Sequence, residues 1–196
     1  MARKKQTAED IFNKYHADPN IGSKSRGWFM KKQMELAKAR IQPAKVMREG
    51  DLLTSRIMPG RLYLFMYDAK HKDTLPYWDQ YPLVFPYART PNGFIGLNMH
   101  YLPYILRVRL LDRLMDFATN KNMDANTKLK YSYATIQASS KLRMAGPCIH
   151  RYISGNVQSR FLEIPASEWH TAMMLPVERF VGANKQTVWA DSFSMV

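Results

Sequence analysis

Three aspartates, Asp68, Asp73 and Asp79, lie close together in the chain, interleaved with Lys70, His71 and Lys72. Carboxylates that converge on two divalent cations can cleave a phosphodiester bond, provided rigid elements hold each ligand. Here Thr74 and Pro76 interrupt the segment, which reads as a loop between strands. Turn capping and solvation explain these aspartates more simply than catalysis does. The five histidines, His16, His71, His100, His150 and His170, form no metal-ligand pair. In the run Asn98-Met99-His100-Tyr101 the expected role for the imidazole is a buried, hydrogen-bonded side chain. Cys148 is the only cysteine, which excludes an internal disulfide and a cysteine metal cluster. Between Pro147 and Ile149 it reads as a small packed residue. No nucleophile elbow and no phosphate-cradling glycine loop occurs. The chain is therefore read as a non-enzyme with no catalytic residue, metal, cofactor or small-molecule substrate.

Charge carries the stronger signal. Among 196 residues, 29 Lys/Arg oppose 16 Asp/Glu, a net charge of +13. Such an excess points to a polyanionic partner, although a basic surface without a specific role is the plainer alternative. Residues 1–48 hold twelve of the Lys/Arg and four of the acidic residues, so this quarter carries +8 of the +13. Arg3, Lys4, Lys5, Lys24 and Arg26 precede Trp28-Phe29, and Lys31 and Lys32 follow. Cations that reach one phosphate backbone, beside an aromatic face for an unpaired base, are what DNA contact requires. These residues, with Trp28 and excluding Phe29, are the candidate DNA-binding set. The commoner role for a tryptophan at that point is a core anchor at a helix start. Tyr77-Trp78 is a second candidate pair, for a partner surface; its alternative is a loop stapled down by aromatic burial.

The elements that would position these groups follow from periodicity. Met30, Met34, Ala37 and Ile41 form one stripe of an amphipathic helix over Trp28–Gln42, bounded by Pro43. Before it, the chain to about Arg26 reads as an arm. Three apolar runs, Leu62–Tyr67, Leu83–Tyr87 and Phe94–Tyr101, are separated by turn residues. Pro91-Asn92-Gly93 predicts a hairpin, and Gly96 within the next strand predicts a bulge or close backbone crossing. A helix from Pro103 would bury Tyr104, Ile105, Val108, Leu111 and Met115, with Arg107, Arg109, Asp112, Arg113 and Asp116 on a solvated face. Asp124 can cap a second helix over about Ala125–Leu142, which Gly146-Pro147 ends. Residues 148–155 are ambiguous, Val157–Ile164 reads as a strand, Ser167 is placed as a cap, and Val188-Trp189 anchors the tail.

These features predict an α+β chain with two parts. Residues 1–48 form a basic arm and amphipathic helix. Residues 49–196 form one domain: a small SH3-like antiparallel β-barrel, with its β core at about 61–102 and 157–164, flanked by N-terminal and by central and C-terminal helices. No secretory signal or membrane span is read, so a membrane is not expected as partner.

The phrase LPYWDQYPLVFPYARTPNGFIGLNMHYLP, Leu75 to Pro103, resembles a motif of virion proteins from T-even-type myophages. Pro147-Cys148-Ile149-His150-Arg151-Tyr152, Ser159-Arg160-Phe161, Glu168-Trp169 and Val188-Trp189-Ala190-Asp191-Ser192 extend the likeness over roughly Arg48 to Ser192. The group is identified with DNA end protectors. The resemblance implies a virion structural protein, assembled in the host cytoplasm, that caps double-stranded ends of packaged DNA against exonuclease. It assigns no individual residue. Other virion proteins would be partners, and the competing reading is an assembly adaptor of the neck, tail or baseplate.

Overall fold

The computed structural model describes residues 53–104, 106–107, 111, 124–139 and 143–195. The arm and amphipathic helix expected over 1–48 lie outside these residues.

Alternation of side chains builds a two-faced sheet. In β2 (Leu62–Leu64) and the residue after it, Leu62 and Leu64 face one way while Tyr63 and Phe65 face the other, and all four are buried. The strands β1 (Leu53–Thr54), β4 (Leu83–Thr90), β5 (Gly93–Asn98), β6 (Ile149–Ile153) and β7 (Phe161–Ile164) complete it. The order is β1-β7-β2-β4-β5-β6, antiparallel throughout. A separate pair joins β3 (Trp78–Asp79) to β8 (Phe180–Val181).

One face packs on helices. Leu83, Phe85 and Leu97 meet Ile136 of α1 (Ala125–Ser139), Trp169 and Met173 of α2 (Trp169–Met174), and Val188 of α3 (Lys185–Ser194). Asp124 caps α1 as expected, accepting from the Thr127 amide at 3.0 Å. Residues 104, 106, 107 and 111 are also helical. Ser167 is not the cap of α2; it lies in the preceding turn, and Glu168 occupies the cap position.

The other face is aromatic: Tyr63, Phe65, Tyr67, Phe94 and Tyr152, with Phe161 against them. Phe94 on β5 and Phe161 on β7 have two strands between them, yet their ring centroids are 6.1 Å apart. In a flat sheet those strands would stand about 14 Å apart, so the sheet curls around its rings. It does not close. The predicted SH3-like barrel is corrected to an open, curled six-stranded sheet whose edges β1 and β6 are not paired with each other. A side chain reaches across the curl instead: the Ile153 amide on β6 donates to the Tyr67 hydroxyl, beyond β2, at 3.2 Å.

Candidate functional site

The three aspartates do not converge. Asp68 is half-buried and pairs with Lys72 at 2.9 Å, one turn on, and Asp73 is exposed. Asp79 is buried. Its Oδ1 accepts from the amides of Tyr81 (3.1 Å) and Arg179 (3.4 Å). Its Oδ2 accepts from Asn98 Nδ2 (3.0 Å) and lies 2.8 Å from His100 Nδ1. Among the described residues no cluster of His, Cys, Asp and Glu could hold a metal ion. Asp79 is a structural hub that ties β3 to the end of β5. His100 is wholly buried, as its sequence context suggests, with Nε2 left without a hydrogen-bond partner.

A second buried network adjoins it. Arg107, expected on a solvated face, is fully buried. Its Nε, Nη1 and Nη2 donate to the carbonyls of Leu102 (2.7 Å), Met173 (3.1 Å) and His100 (3.1 Å). Glu178 lies 3.8 Å away and also binds Tyr104 and Lys185. Burial opposes ionisation of Glu178, but the charges of Arg107, His100 and Lys185 outweigh it and hold its pKa down at about 2. Trp189 Nε1 donates to the His100 carbonyl at 2.8 Å, which docks α3 as the tail sequence suggests. Burial pushes the Cys148 thiol up to about 12, so it is packed and inert.

Two clefts open among the described residues. The first, about 760 Å³, is the mouth of the curled sheet: Arg56, Arg61 and Arg89 rim a floor that includes Tyr63, Phe94 and Phe161. Arg61 pairs with Glu163, whereas Arg56 and Arg89 are exposed. The second, about 690 Å³, lies between the loop 68–78 and the edge strand β6, with Tyr101 and Tyr152 at its base and Lys70 and Arg151 at its rim. The clefts are neighbours at the β4–β5 turn, where Asn92 and Ile153 line one and Gly93 and Ser154 the other.

Tyr77 and Trp78 both line the second cleft and are half-buried. Tyr77 packs against Tyr101 and Phe180, with centroids at 6.1 and 6.3 Å. His150 sits with its ring 4.0 Å from that of Tyr101. Burial lowers its pKa to about 4, so the imidazole is neutral at physiological pH. Its Nε2 donates to the Pro147 carbonyl at 3.0 Å, which leaves Nδ1 as an acceptor. Arg3, Lys4, Lys5, Lys24, Arg26, Trp28, Lys31 and Lys32 lie outside the described residues. Sequence reasoning missed the arginine rim because its members come from two separate segments, the β1–β2 loop and strand β4, and no local spacing announces them.

A sequence model of the phage T4 terminal DNA protecting protein family matches residues 4–193. The chain belongs to that family. No curated protein and no solved structure matches it. The match begins well before Arg48, so the basic N-terminal segment is part of the family's sequence rather than an appendage to it. At the mouth of the sheet Arg56 and Arg89 are exposed cations, whereas the Asp79 and Glu178 side chains are buried.

Proposed function

We propose that the protein binds the ends of linear double-stranded DNA in a phage particle and shields them from exonuclease by occupying the terminus. The family match over residues 4–193 carries this reading. Arg3, Lys4, Lys5, Lys24, Arg26, Lys31 and Lys32, with Trp28, form one set of contacts to the duplex. Arg56 and Arg89 form a second at the mouth of the curled sheet, beside Arg61 on its Glu163 partner. Protection needs no chemical step; a bound protein that excludes the nuclease suffices. The protein acts as a virion component, and exposed apolar residues such as Leu75 and Met195 are available to neighbouring virion proteins.

The test is exonuclease digestion of blunt linear DNA with purified protein at about 0.15 M salt, with closed circular DNA as competitor. Protection that survives the circular competitor is expected. Protection erased by circles would reduce the protein to a nonspecific polycation.

A further inference from the structure

We propose that the cleft between the loop 68–78 and the edge strand β6 receives the unstacked terminal nucleotide of a DNA strand. The inference rests on the end-binding reading and supplies what charge alone does not. Lys and Arg neutralise phosphates equally well along the whole duplex, so they cannot tell an end from the middle. An end differs in one respect: its last base is stacked on one side only, and extruding it costs less than extruding an internal one.

The cleft has the character such a base requires. Its volume, about 690 Å³, lies within the range of small-ligand sites. Trp78 and His150, both half-buried, line it above the buried rings of Tyr101 and Tyr152, and every base has a face that stacks on an open ring. His150 is neutral there, with Nδ1 free of a proton and able to accept from a base edge. Asp79 is the one carboxylate in the lining, and its charge is turned inward, 4% exposed and met by Tyr81, Asn98, His100 and Arg179. At the rim Lys70 and Arg151 are exposed, and Arg151 is braced by Asn92 Oδ1 at 2.7 Å. They are placed to take a terminal phosphate.

Position supports the same assignment. The cleft and the arginine-rimmed mouth are lined by consecutive residues, Asn92 and Gly93, and Ile153 and Ser154, so the two are neighbours. A strand gripped by Arg56 and Arg89 therefore has an aromatic recess next to its path. The arginines hold the backbone, and the recess reads that it has ended.

The test is photocrosslinking of the full-length protein to linear duplexes. One duplex carries 5-iodo-2′-deoxyuridine at the terminal nucleotide and another carries it in the middle. Exonuclease protection is measured on the same duplexes. The terminal probe should crosslink to peptides containing Trp78, Tyr101, His150 or Tyr152, and the central probe should not. Gly146 lines the cleft, and an added Cβ there meets no atom within 4 Å, so Gly146→Trp adds bulk at the cleft from a position with room for a side chain. That variant, and Lys70→Ala with Arg151→Ala, should lose the crosslink and about tenfold in end affinity while binding closed circles as before. Protection by the wild type with no crosslink in the cleft would overturn the proposal and leave end protection standing. So would full protection and crosslinking by Gly146→Trp. A wild type that fails to protect ends would remove both readings together.

Discussion

Asp79 remains a buried carboxylate because donors reach it from several directions: two backbone amides, the Asn98 amide and the His100 ring. Removing it strands those groups in a dry interior. Asp79→Ala should cost about 3–5 kcal/mol in denaturant unfolding, while Asp79→Asn, which still offers one acceptor, should cost less. A catalytic carboxylate would give the opposite pattern, with stability kept and magnesium-dependent cutting lost. His150 gives a pH signature. Its folded pKa of about 4 lies below the ordinary 6.5, so the unfolded chain takes up the proton first as pH falls. Its contribution is complete above pH 6.5 and is lost between 6.5 and about 4. The melting temperature should fall across that window, and His150→Gln should flatten that part of the curve. Glu178, held at about 2, acts lower: its contribution is present above the ordinary carboxylate pKa and is lost as pH drops toward 2. The sequence exposes little of this, because four of Asp79's partners are 2 to 100 residues away in the chain.

At the scale of elements, the β4–β5 hairpin is the part most legible beforehand. Alternating apolar residues flank Pro91-Asn92-Gly93, and the ladder runs from Thr90↔Gly93 to Val84↔Asn98 with an irregularity between Pro86 and Ala88. The close crossing expected at Gly96 is present: an added Cβ would overlap Val84 and crowd the Phe85 carbonyl oxygen. Gly96→Ala should therefore destabilise by about 1–3 kcal/mol through overpacking, measured by chemical denaturation. Gly93 closes the predicted hairpin without the left-handed backbone that glycine favours in such turns. Its φ is not positive; it is required because a Cβ there would overlap the Tyr152 carbonyl oxygen on β6. Strand β6 stays ambiguous in sequence because Ile149–Ile153 includes His150 and Arg151, and only the β5 ladder makes it a strand. Barrel closure was over-read for a related reason. Aromatic runs specify a curled sheet, but whether its edges meet depends on how much volume the enclosed rings fill. Arg107 fails differently: a helix face of mixed signs looks solvated until a carboxylate from residue 178 covers it.

For the whole molecule the deciding quantity is charge and where it can reach. A net charge of +13, with +8 of it in residues 1–48, gives two regions able to touch phosphates, the N-terminal segment and the arginine-rimmed mouth of the sheet. They can be separated by salt dependence. Each phosphate contact adds about 0.9 to the slope of log affinity against log salt, whichever residue makes it. Replacing Lys4, Lys5, Arg26 and Lys31 together by Ala should reduce that slope by about 3–4 and weaken binding to linear and circular DNA alike. Replacing Arg56 and Arg89 should lower it by about 2. If the sheet mouth stands beside the terminus, this second loss will be larger on linear than on circular DNA. Titrations at several salt concentrations, on linear and closed circular forms of the same DNA, give both numbers. An unchanged slope in the quadruple variant would take the N-terminal segment out of the DNA contact and leave the grip on the end to the folded domain.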